Sequence, residues 1–450
     1  MREVGNPSSA GAAGATGDRR RTVLISGASV AGPALAYWLA RHGWRTTVIE
    51  VAPALRGGGF AVDFRGAAHL AVLERMGILA GVREHRTTGS PLTFIDAQGD
   101  EIATLPEEFA GGDLEILRSD LSRLLHDHSR KGHGPSGAAS TTSTAPEYVF
   151  GDSIASLTET DDGVHVTFER GAPRTFDLVV GADGLHSTVR RLAFGPEKEF
   201  VSHLGYYVAA WDLPAGAADL AVRPVGYGEP GRLASVGRMA RREGEAGYAG
   251  EVFCVFASAE LDCDRRDIHA QKKAIAQAYE GAGWRTPELI ETLWGADDFY
   301  FDSISRADVP RWSTSMGRIV LLGDAAYSAT VGGMGTGAAI VGAYVLAGEL
   351  AAAGGEAGAD IEGDADGEGE GGTGGHREAF ARYERRMRPY VTACQEGGAG
   401  VGAFMAPPTQ EAIDARNAAL NDPATIAAIL EGGTELSAAI TLEPYPELMG

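Results

Sequence analysis

Three glycine-containing segments have residue types and spacings that suit the binding of a phosphate group. In the first, Gly27, Ser29 and Gly32 form a G-x-S-x-x-G sequence, and Glu50 follows eighteen residues after Gly32. Gly27 permits a tight turn, Gly32 permits close contact between a helix and a strand, and a helix beginning near Ser29 offers free N–H groups to a pyrophosphate. A carboxylate at Glu50 can accept hydrogen bonds from a ribose hydroxyl. This spacing indicates a dinucleotide site.

The other two segments place an aspartate directly after a run of apolar residues. GADG begins at Gly181 and contains Asp183, whereas GDAA begins at Gly323 and contains Asp324. A further glycine-rich sequence, GGMGTG, begins at Gly332. Glycines allow backbone N–H groups to approach a ligand, and an aspartate at the carboxyl end of a strand can hold a second sugar hydroxyl of an extended cofactor.

The elements around these segments predict a doubly wound α/β domain. Apolar, β-branched residues over Thr22–Ser26 and Thr46–Ile49 indicate buried parallel strands, and Pro33–His42 has helical spacing between them. This is one βαβ unit of about 30 residues. Leu178–Val180 and Ile319–Leu322 indicate two more buried strands.

Between about Ser202 and Ile304 the pattern changes to period-2 alternation, as in Glu251–Ala257 and Phe299–Ile304. Such alternation is typical of an antiparallel sheet with one solvated face. Farther along, helical spacing predicts helices over Gly337–Leu350 and His376–Cys394. Residues 351–375 between them contain seven acids and ten glycines, which favours a flexible acidic insert over core structure.

Composition excludes several classes of function. Across 450 residues, 39 Lys and Arg oppose 61 Asp and Glu, so the formal net charge is −22, which argues against nucleic acid or anionic membrane surfaces as partners. The sequence has no uninterrupted apolar run of about 18 residues, the length that would predict a membrane-spanning helix. The three cysteines form no CxxC pair, which argues against a disulfide scaffold or zinc ribbon. We therefore expect no metal site and a reducing, cytoplasmic location.

The ordered set of motifs resembles the single-component (group A) FAD monooxygenases of the para-hydroxybenzoate hydroxylase fold, above all the tetracycline-inactivating and polyketide-tailoring members. The set consists of G-x-S-x-x-G with Glu50, LRSDL at Leu117–Leu121, DG at 183–184 and GD at 323–324. The resemblance implies an α/β fold in which a Rossmann-like FAD-binding domain of the GR2 type is interrupted by a mainly antiparallel β-sheet substrate domain, with a long C-terminal helix. It covers most of residues 22–400.

The resemblance also implies the roles of individual residues. The implied cofactor-binding residues are Gly27, Ser29, Ala31, Gly32, Glu50, Arg118, Asp183, Asp324, Gly335 and Gly337. Gly57–Arg65 matches a loop beside the flavin and the substrate, so Asp63 and Arg65 are candidate pocket residues. The remaining pocket candidates are aromatic residues of the alternating region, namely Tyr206, Trp211 and Tyr300.

The same interpretation divides the chain into regions. Residues 1–21 form a tail that we expect to be disordered, and 376–450 form a C-terminal helical region after the 351–375 insert. The expected FAD-binding domain is discontinuous, over 22–85, 110–200 and 305–350. The expected substrate-binding domain comprises 86–109 and 201–304.

The implied activity is oxygen insertion with FAD as cofactor, NAD(P)H as a transient co-substrate and O₂, through a flavin C4a-hydroperoxide. The implied substrate is a bulky aromatic or polyketide-like small molecule, in natural-product biosynthesis or inactivation. Because the flavin carries this chemistry, no catalytic side chain is assigned with certainty. Two alternatives stay open, an FAD-dependent oxidoreductase that inserts no oxygen and a non-catalytic FAD- or ligand-binding protein. The second rests on Tyr327 and Val331, which stand where the family usually has His and Pro.

Overall fold

A computed structural model describes residues 21–57, 60–87, 91–131, 145–237, 248–296, 299–328, 332, 334–359 and 375–445. The strands are Thr22–Ser26 (β1), Arg45–Glu50 (β2), Ala61–Phe64 (β3), Leu92–Ile95 (β4), Glu101–Leu105 (β5), Leu114–Leu117 (β6), Glu147–Phe150 (β7), Ile154–Thr160 (β8), Gly163–Phe168 (β9), Arg174–Phe176 (β10), Leu178–Gly181 (β11), Val201–Pro214 (β12), Val225–Glu229 (β13), Arg232–Gly237 (β14), Tyr248–Ala257 (β15), Phe299–Ala307 (β16) and Ile319–Leu321 (β17).

The helices are Ala31–Arg41 (α1), Gly66–Met76 (α2), Leu79–Glu84 (α3), Glu107–Gly111 (α4), Arg118–Arg130 (α5), Thr188–Ala193 (α6), Ile268–Ala278 (α7), Thr286–Leu293 (α8), Asp324–Tyr327 (α9), Gly335–Ala359 (α10), Gly375–Gly398 (α11), Val401–Met405 (α12), Gln410–Leu420 (α13) and Pro423–Ser437 (α14). Two 3₁₀ segments cover Glu197–Glu199 and Ala215–Leu220.

The first sheet has five parallel strands in the order β17-β11-β1-β2-β7. Val23, Leu24 and Ile25 of its central strand are completely buried, because helices cover one face and the small β8–β10 sheet joins the same core on the other. Parallel strands buried on both faces require continuous apolar sequence, which explains the TVLIS and LVVG runs. The carboxyl ends of β1, β11 and β17 carry the three glycine-containing segments to one edge.

The second sheet has seven strands in the order β16-β12-β15-β14-β13-β4-β5. Its pairs are antiparallel except β13 with β4. One face packs on α7 and α8, where Leu289 and Leu293 are fully buried, and the other packs on α12 and α13 through Ala406 and Leu420. Both faces are therefore covered, which corrects the expectation of a solvated face over the central strands.

Helix α10 is the longest helix in the described part of the chain and extends beyond its predicted end at Leu350 to Ala359. The first nine residues of the predicted flexible insert are thus helical, and residues 360–374 lie outside the described residues. Within α10, Gly335–Gly354 is long and apolar enough to cross a membrane, but 83% of the apolar window is buried inside the protein. This segment is therefore a core helix, packed against α1 and α11.

Candidate functional site

The loop between β1 and α1 has no room for side chains at its two glycines. Gly27 has a φ of +104°, and a Cβ there would lie 2.3 Å from the Ala182 carbonyl oxygen. A Cβ at Gly32 would lie 1.9 Å from the carbonyl oxygen of Gly27. The helix begins at Ala31 rather than near Ser29, whose hydroxyl lies 3.4 Å from that of Ser122. The loop is therefore closely packed at Gly27 and leaves partly exposed backbone at Ser29 and Val30, beside the amino end of α1, where a phosphate could bind.

Glu50, the last residue of β2, holds the start of the β2–β3 connection with both carboxylate oxygens. One oxygen accepts a hydrogen bond from the Ala28 backbone N–H at 3.0 Å, and the other accepts from Ala52 N–H at 3.0 Å. The Arg56 guanidinium lies 4.0 Å away and is largely exposed. Each oxygen retains a lone pair for a sugar hydroxyl, so Glu50 can both fix the glycine loop and bind a ribose.

The Asp183 carboxylate, by contrast, is hydrogen-bonded to residues of its own segment and of β1. Its carboxylate accepts hydrogen bonds from the Ser26 and Ser187 hydroxyls and from the backbone N–H groups of Thr188 and Val189. Burial raises the pKa of Asp183, although these hydrogen bonds act in the opposite direction. These contacts position the DG turn and the amino end of α6.

The third segment meets the first directly. Gly323 has a φ of +65°, and a Cβ there would lie 3.3 Å from the Ala31 Cβ. Asp324 is the first residue of α9, and its side chain has no hydrogen-bond partner among the described residues. It faces Arg118, Tyr300 and Asp302 across a space that we call the cleft. The surrounding protein removes enough water to raise the pKa of Asp324, while the charge of Arg118 opposes that shift.

Arg118 supplies the complementary charge. It is the first residue of α5, is exposed, and its guanidinium has no hydrogen-bond or ion-pair partner within the described ranges. Burial raises the pKa values of Tyr300, Asp302 and Asp324, and the charge of Arg118 opposes each of these shifts, so residues from α5, β16 and α9 face the same cleft. Unpaired charges of opposite sign on its walls indicate a site for a polar ligand with both acceptor and donor groups.

Aromatic rings form another wall of this cleft. Phe60 packs edge to face on Tyr300, with centroids 4.9 Å apart, and on Phe253 at 6.2 Å. Sequence reasoning selected Tyr300 but missed Phe60 and Phe253. Phe60 lies inside the quoted Gly57–Arg65 segment, and Phe253 shares its strand face with Val255, so both signals were present in the sequence.

The structure separates the other two aromatic candidates by strand parity. Tyr206 lies on the face of β12 that packs on α12, where a Cβ at Gly402 would lie 2.6 Å from its ring. Trp211 is five residues farther along and faces the opposite side. It is 2% exposed, and its indole N–H donates to the Thr292 hydroxyl at 2.9 Å. The structure therefore places Trp211 in the core against α8 rather than on the face that carries Tyr206 and Tyr300.

Asp63 and Arg65 bind each other rather than facing the cleft as free wall residues. The Arg65 Nε donates to Asp63 at 2.5 Å, and its other nitrogens donate to the carbonyls of Glu108 and Phe109. The pair therefore fastens β3 to α4. Residues 58 and 59 of the intervening segment lie outside the described residues.

At the amino end of α10, a histidine ring leaves no room for a side chain at Gly337. A Cβ at Gly337 would lie 2.0 Å from the buried His69 ring, whereas Gly335 begins the helix. His69 Nδ1 accepts the Arg65 backbone N–H at 3.0 Å, and Nε2 lies 2.5 Å from the Tyr390 hydroxyl. Burial lowers the pKa of His69 to about 4, so this ring is neutral. Its two hydrogen bonds fix it against the amino end of α10.

Tyr327, which stands in place of the expected histidine, is buried at the end of α9. Its hydroxyl lies 3.2 Å from that of Tyr383, and its ring packs on Trp312 with centroids 4.7 Å apart. Burial raises the pKa of Tyr327 to about 12. Tyr327 therefore supports the core below the cleft, and Val331 lies outside the described residues.

Comparisons with known proteins agree with this geometry. A family model described as an FAD binding domain matches residues 20–223. An uncharacterized protein of Mycobacterium tuberculosis is 44% identical over 341 residues, covering 74% of this chain and 86% of the relative. A flavin-dependent monooxygenase of Legionella longbeachae is 33% identical, and the match covers 84% of this chain and 88% of the relative. The crystal structure of the tetracycline destructase Tet(55) is 30% identical with a TM-score of 0.73, covering 95% and 100%.

Proposed function

Because this chain belongs to the flavin-dependent monooxygenases, we propose that it uses FAD, NAD(P)H and O₂ to hydroxylate a bulky aromatic or polyketide-like small molecule. The observation that carries the proposal is the cleft in which Arg118 and Asp324 lack partners among the described residues beside a backbone cradle at Gly27 and Gly32.

The residues fit FAD in their chemistry. The amino end of α1 and its glycines would receive the pyrophosphate, and Glu50 has acceptor capacity for the adenosine ribose. Arg118 can neutralise phosphate charge, and Asp324 can accept from ribityl hydroxyls. Gly335 and Gly337 would lie beside the ring system at the start of α10. Bound FAD would supply the redox chemistry that activates O₂.

The chain itself has to bind the substrate, orient it and exclude water. The edge-to-face rings of Phe60, Phe253 and Tyr300 form a rigid apolar wall that suits a flat substrate. Tyr206 under α12 extends the same sheet face. The likeness to a tetracycline destructase supports a fused-ring substrate.

Two further features support the cellular setting that we propose. Cys254, Cys263 and Cys394 are all free thiols, which suits a reducing cytoplasm. NAD(P)H would bind transiently near the cleft, where Arg118 is an exposed cation. We propose no permanent nicotinamide site.

The test is to mix the purified protein, FAD and NADPH or NADH with a panel of tetracyclines and other aromatic polyketides, following NAD(P)H loss and product mass. Hydroxylation adds one oxygen atom, about 16 mass units, and ¹⁸O₂ must supply it. A product that differs by two hydrogens would instead support an oxidoreductase without oxygen insertion. Tight ligand binding with no turnover across the panel would favour a binding protein.

A further inference from the structure

His186 bridges two carboxylates across the seam between the sheets. Its Nδ1 lies 3.0 and 3.1 Å from the two carboxylate oxygens of Glu197, and its Nε2 lies 3.1 Å from Asp302 Oδ1. His186 belongs to the DG segment before α6, Glu197 to the 3₁₀ turn after α6, and Asp302 to β16. His186 and Asp302 are thus in contact although they lie 116 positions apart in the sequence.

The two carboxylates occupy different environments. Asp302 shares its strand face with Tyr300 and senses the charges of Arg118 and Asp324, which places it on the cleft side. Glu197 lies toward the surface, where the half-exposed Arg265 approaches it at 3.4 Å. The three side chains are 21%, 28% and 32% exposed from Asp302 through His186 to Glu197. They form a continuous polar path from cleft to solvent.

We infer that Asp302, His186 and Glu197 form a proton relay that connects the cleft with solvent. The inference rests on the proposed function, because an NAD(P)H-dependent oxygenase consumes one proton per turnover. Substrate, O₂, NAD(P)H and H⁺ give hydroxylated substrate, NAD(P)⁺ and water. A cleft that excludes bulk water needs a defined route for that proton.

Each transfer along the relay balances without any co-reactant. A proton from solvent binds the Glu197 carboxylate and passes to His186 Nδ1 while His186 Nε2–H passes its own proton to Asp302. Asp302 then donates to a basic group in the cleft. The His186 side chain, which is 28% exposed, returns to its Nε2–H form by releasing the Nδ1 proton to water and taking a proton at Nε2 from water. Asp302 is the group that meets the reacting partners, and His186 and Glu197 are positioning residues that act through it.

The charges around the relay favour exchange near neutral pH. Burial raises the pKa of Asp302 to about 6, whereas Arg265 and Arg118 act to lower it. Burial also raises the pKa of Glu197, and Arg190, 3.6 Å away, opposes that shift. The other titratable or charged groups that face the relay are Arg191, Tyr207, Glu260, Tyr300 and Asp324. Asp183 and Arg266 lie one step farther away, beside Arg190 and Arg265.

The first test uses FAD-free protein and involves no turnover. The carboxyl carbon of Asp302, assigned by its loss in Asp302→Asn, is followed by ¹³C NMR from pH 4 to 9. We expect a midpoint near the Asp302 pKa of about 6, which moves upward in His186→Ala because the hydrogen bond from His186 Nε2–H favours the ionised carboxylate. His165→Ala is the matched control, since His165 is exposed on β9 and contacts Thr175. An unchanged midpoint in His186→Ala would overturn the relay.

The second test measures NAD(P)H oxidation by the FAD-loaded enzyme against pH and buffer concentration. We expect wild-type kcat to fall above about pH 6 and His186→Ala to lose at least about tenfold in kcat. Added imidazole should restore the loss, whereas the His186→Asn variant, which keeps a hydrogen-bonding side chain, should stay slow. A structural bridge predicts the reverse, with Asn active and imidazole without effect.

The two tests separate failure of the relay from failure of the proposed function. If wild-type protein oxidises no NAD(P)H with any substrate, the proposed function fails, and the NMR midpoint still decides whether Asp302 and His186 share a proton. If His186→Ala does not fold, His186→Asn takes its place in the titration.

Discussion

Arginine and carboxylate side chains meet in two regions of this molecule with opposite results. Between α10, α11 and the C-terminal segment, Glu349 is 2% exposed and accepts hydrogen bonds from Arg382 Nε at 2.7 Å, Arg386 Nε at 2.6 Å and the Tyr445 hydroxyl at 2.7 Å. In the cleft, Arg118 and Asp324 face the same space, and neither has a hydrogen-bond partner among the described residues.

The difference distinguishes structural charges from ligand-binding ones. A buried carboxylate is tolerated where several donors replace its water, and Glu349 has three. Charges left unpaired on the walls of a cleft gain nothing from the fold and are stabilised when a ligand arrives. The following predictions test this comparison, beginning with the largest expected effect.

Glu349→Ala should destabilise the fold without weakening cofactor binding. Removing the carboxylate leaves Arg382 and Arg386, which are 23% and 39% exposed, without their buried partner. The free energy of unfolding should fall by about 3 kcal/mol in urea titrations, the lower end of the range for a broken buried pair, because both arginines can reach water. Glu378→Ala on α11, where the carboxylate is 56% exposed, is the control and should lose less than about 1 kcal/mol. A large loss of FAD affinity by folded Glu349→Ala would contradict the division between the two regions.

Buried His69, like Glu349, is hydrogen-bonded within the protein, and it should make the free energy of unfolding depend on pH. Its pKa is about 4 in the fold against 6.5 unfolded, so the unfolded chain binds more protons between these values. The stabilising contribution is complete above pH 6.5 and is lost as the pH falls toward 4, by up to about 3 kcal/mol. Urea unfolding of wild type and His69→Asn at pH 7 and 4.5 measures it, and equal pH slopes would refute it.

Asp324→Asn should weaken FAD binding while sparing the apoprotein. Loss of a charged hydrogen-bond acceptor should raise the Kd for FAD about 100-fold, measured by flavin fluorescence. Because the pKa of Asp324 is raised in the fold, its ionisation lowers stability as the pH rises, so the FAD-free variant should be at least as stable as wild type at pH 7. Asp127→Asn, an exposed change on α5, is the control. Wild-type flavin content in Asp324→Asn would count against the site.

Trp211→Phe should give the smallest effect and confirm that this side chain belongs to the second core. Loss of the indole hydrogen bond to Thr292 should cost about 1 kcal/mol of unfolding free energy, with unchanged substrate KM. Tyr300→Phe, on the cleft face, should instead change KM with little loss of stability. If Trp211→Phe alters KM and Tyr300→Phe does not, the assignment of strand faces is reversed.

Much of the fold could be predicted because the local signals were strong. The continuous apolar run of β1 and the glycine spacing at Gly27 and Gly32 identified the parallel sheet and its first loop. The end of α10 was missed because the alanines and glycines after Leu350 have the composition of a linker, whereas Ala353 is buried where α10 meets the start of α11. Trp211 could not be placed because alternation fixes which residues share a face but not which face meets the cleft.

The sequence by itself determined which chemical groups this protein presents and at which edge. Strand-ending motifs at Ser26, Gly181 and Leu321 must meet, because the carboxyl ends of parallel strands lie together. Tertiary structure alone decided which charges are paired. Asp183 and Arg65 make hydrogen bonds within the protein, whereas Arg118 and Asp324 have no partner among the described residues. Hydrogen bonding and desolvation depend on neighbours that can lie more than a hundred residues away in the chain, so no local pattern carries them.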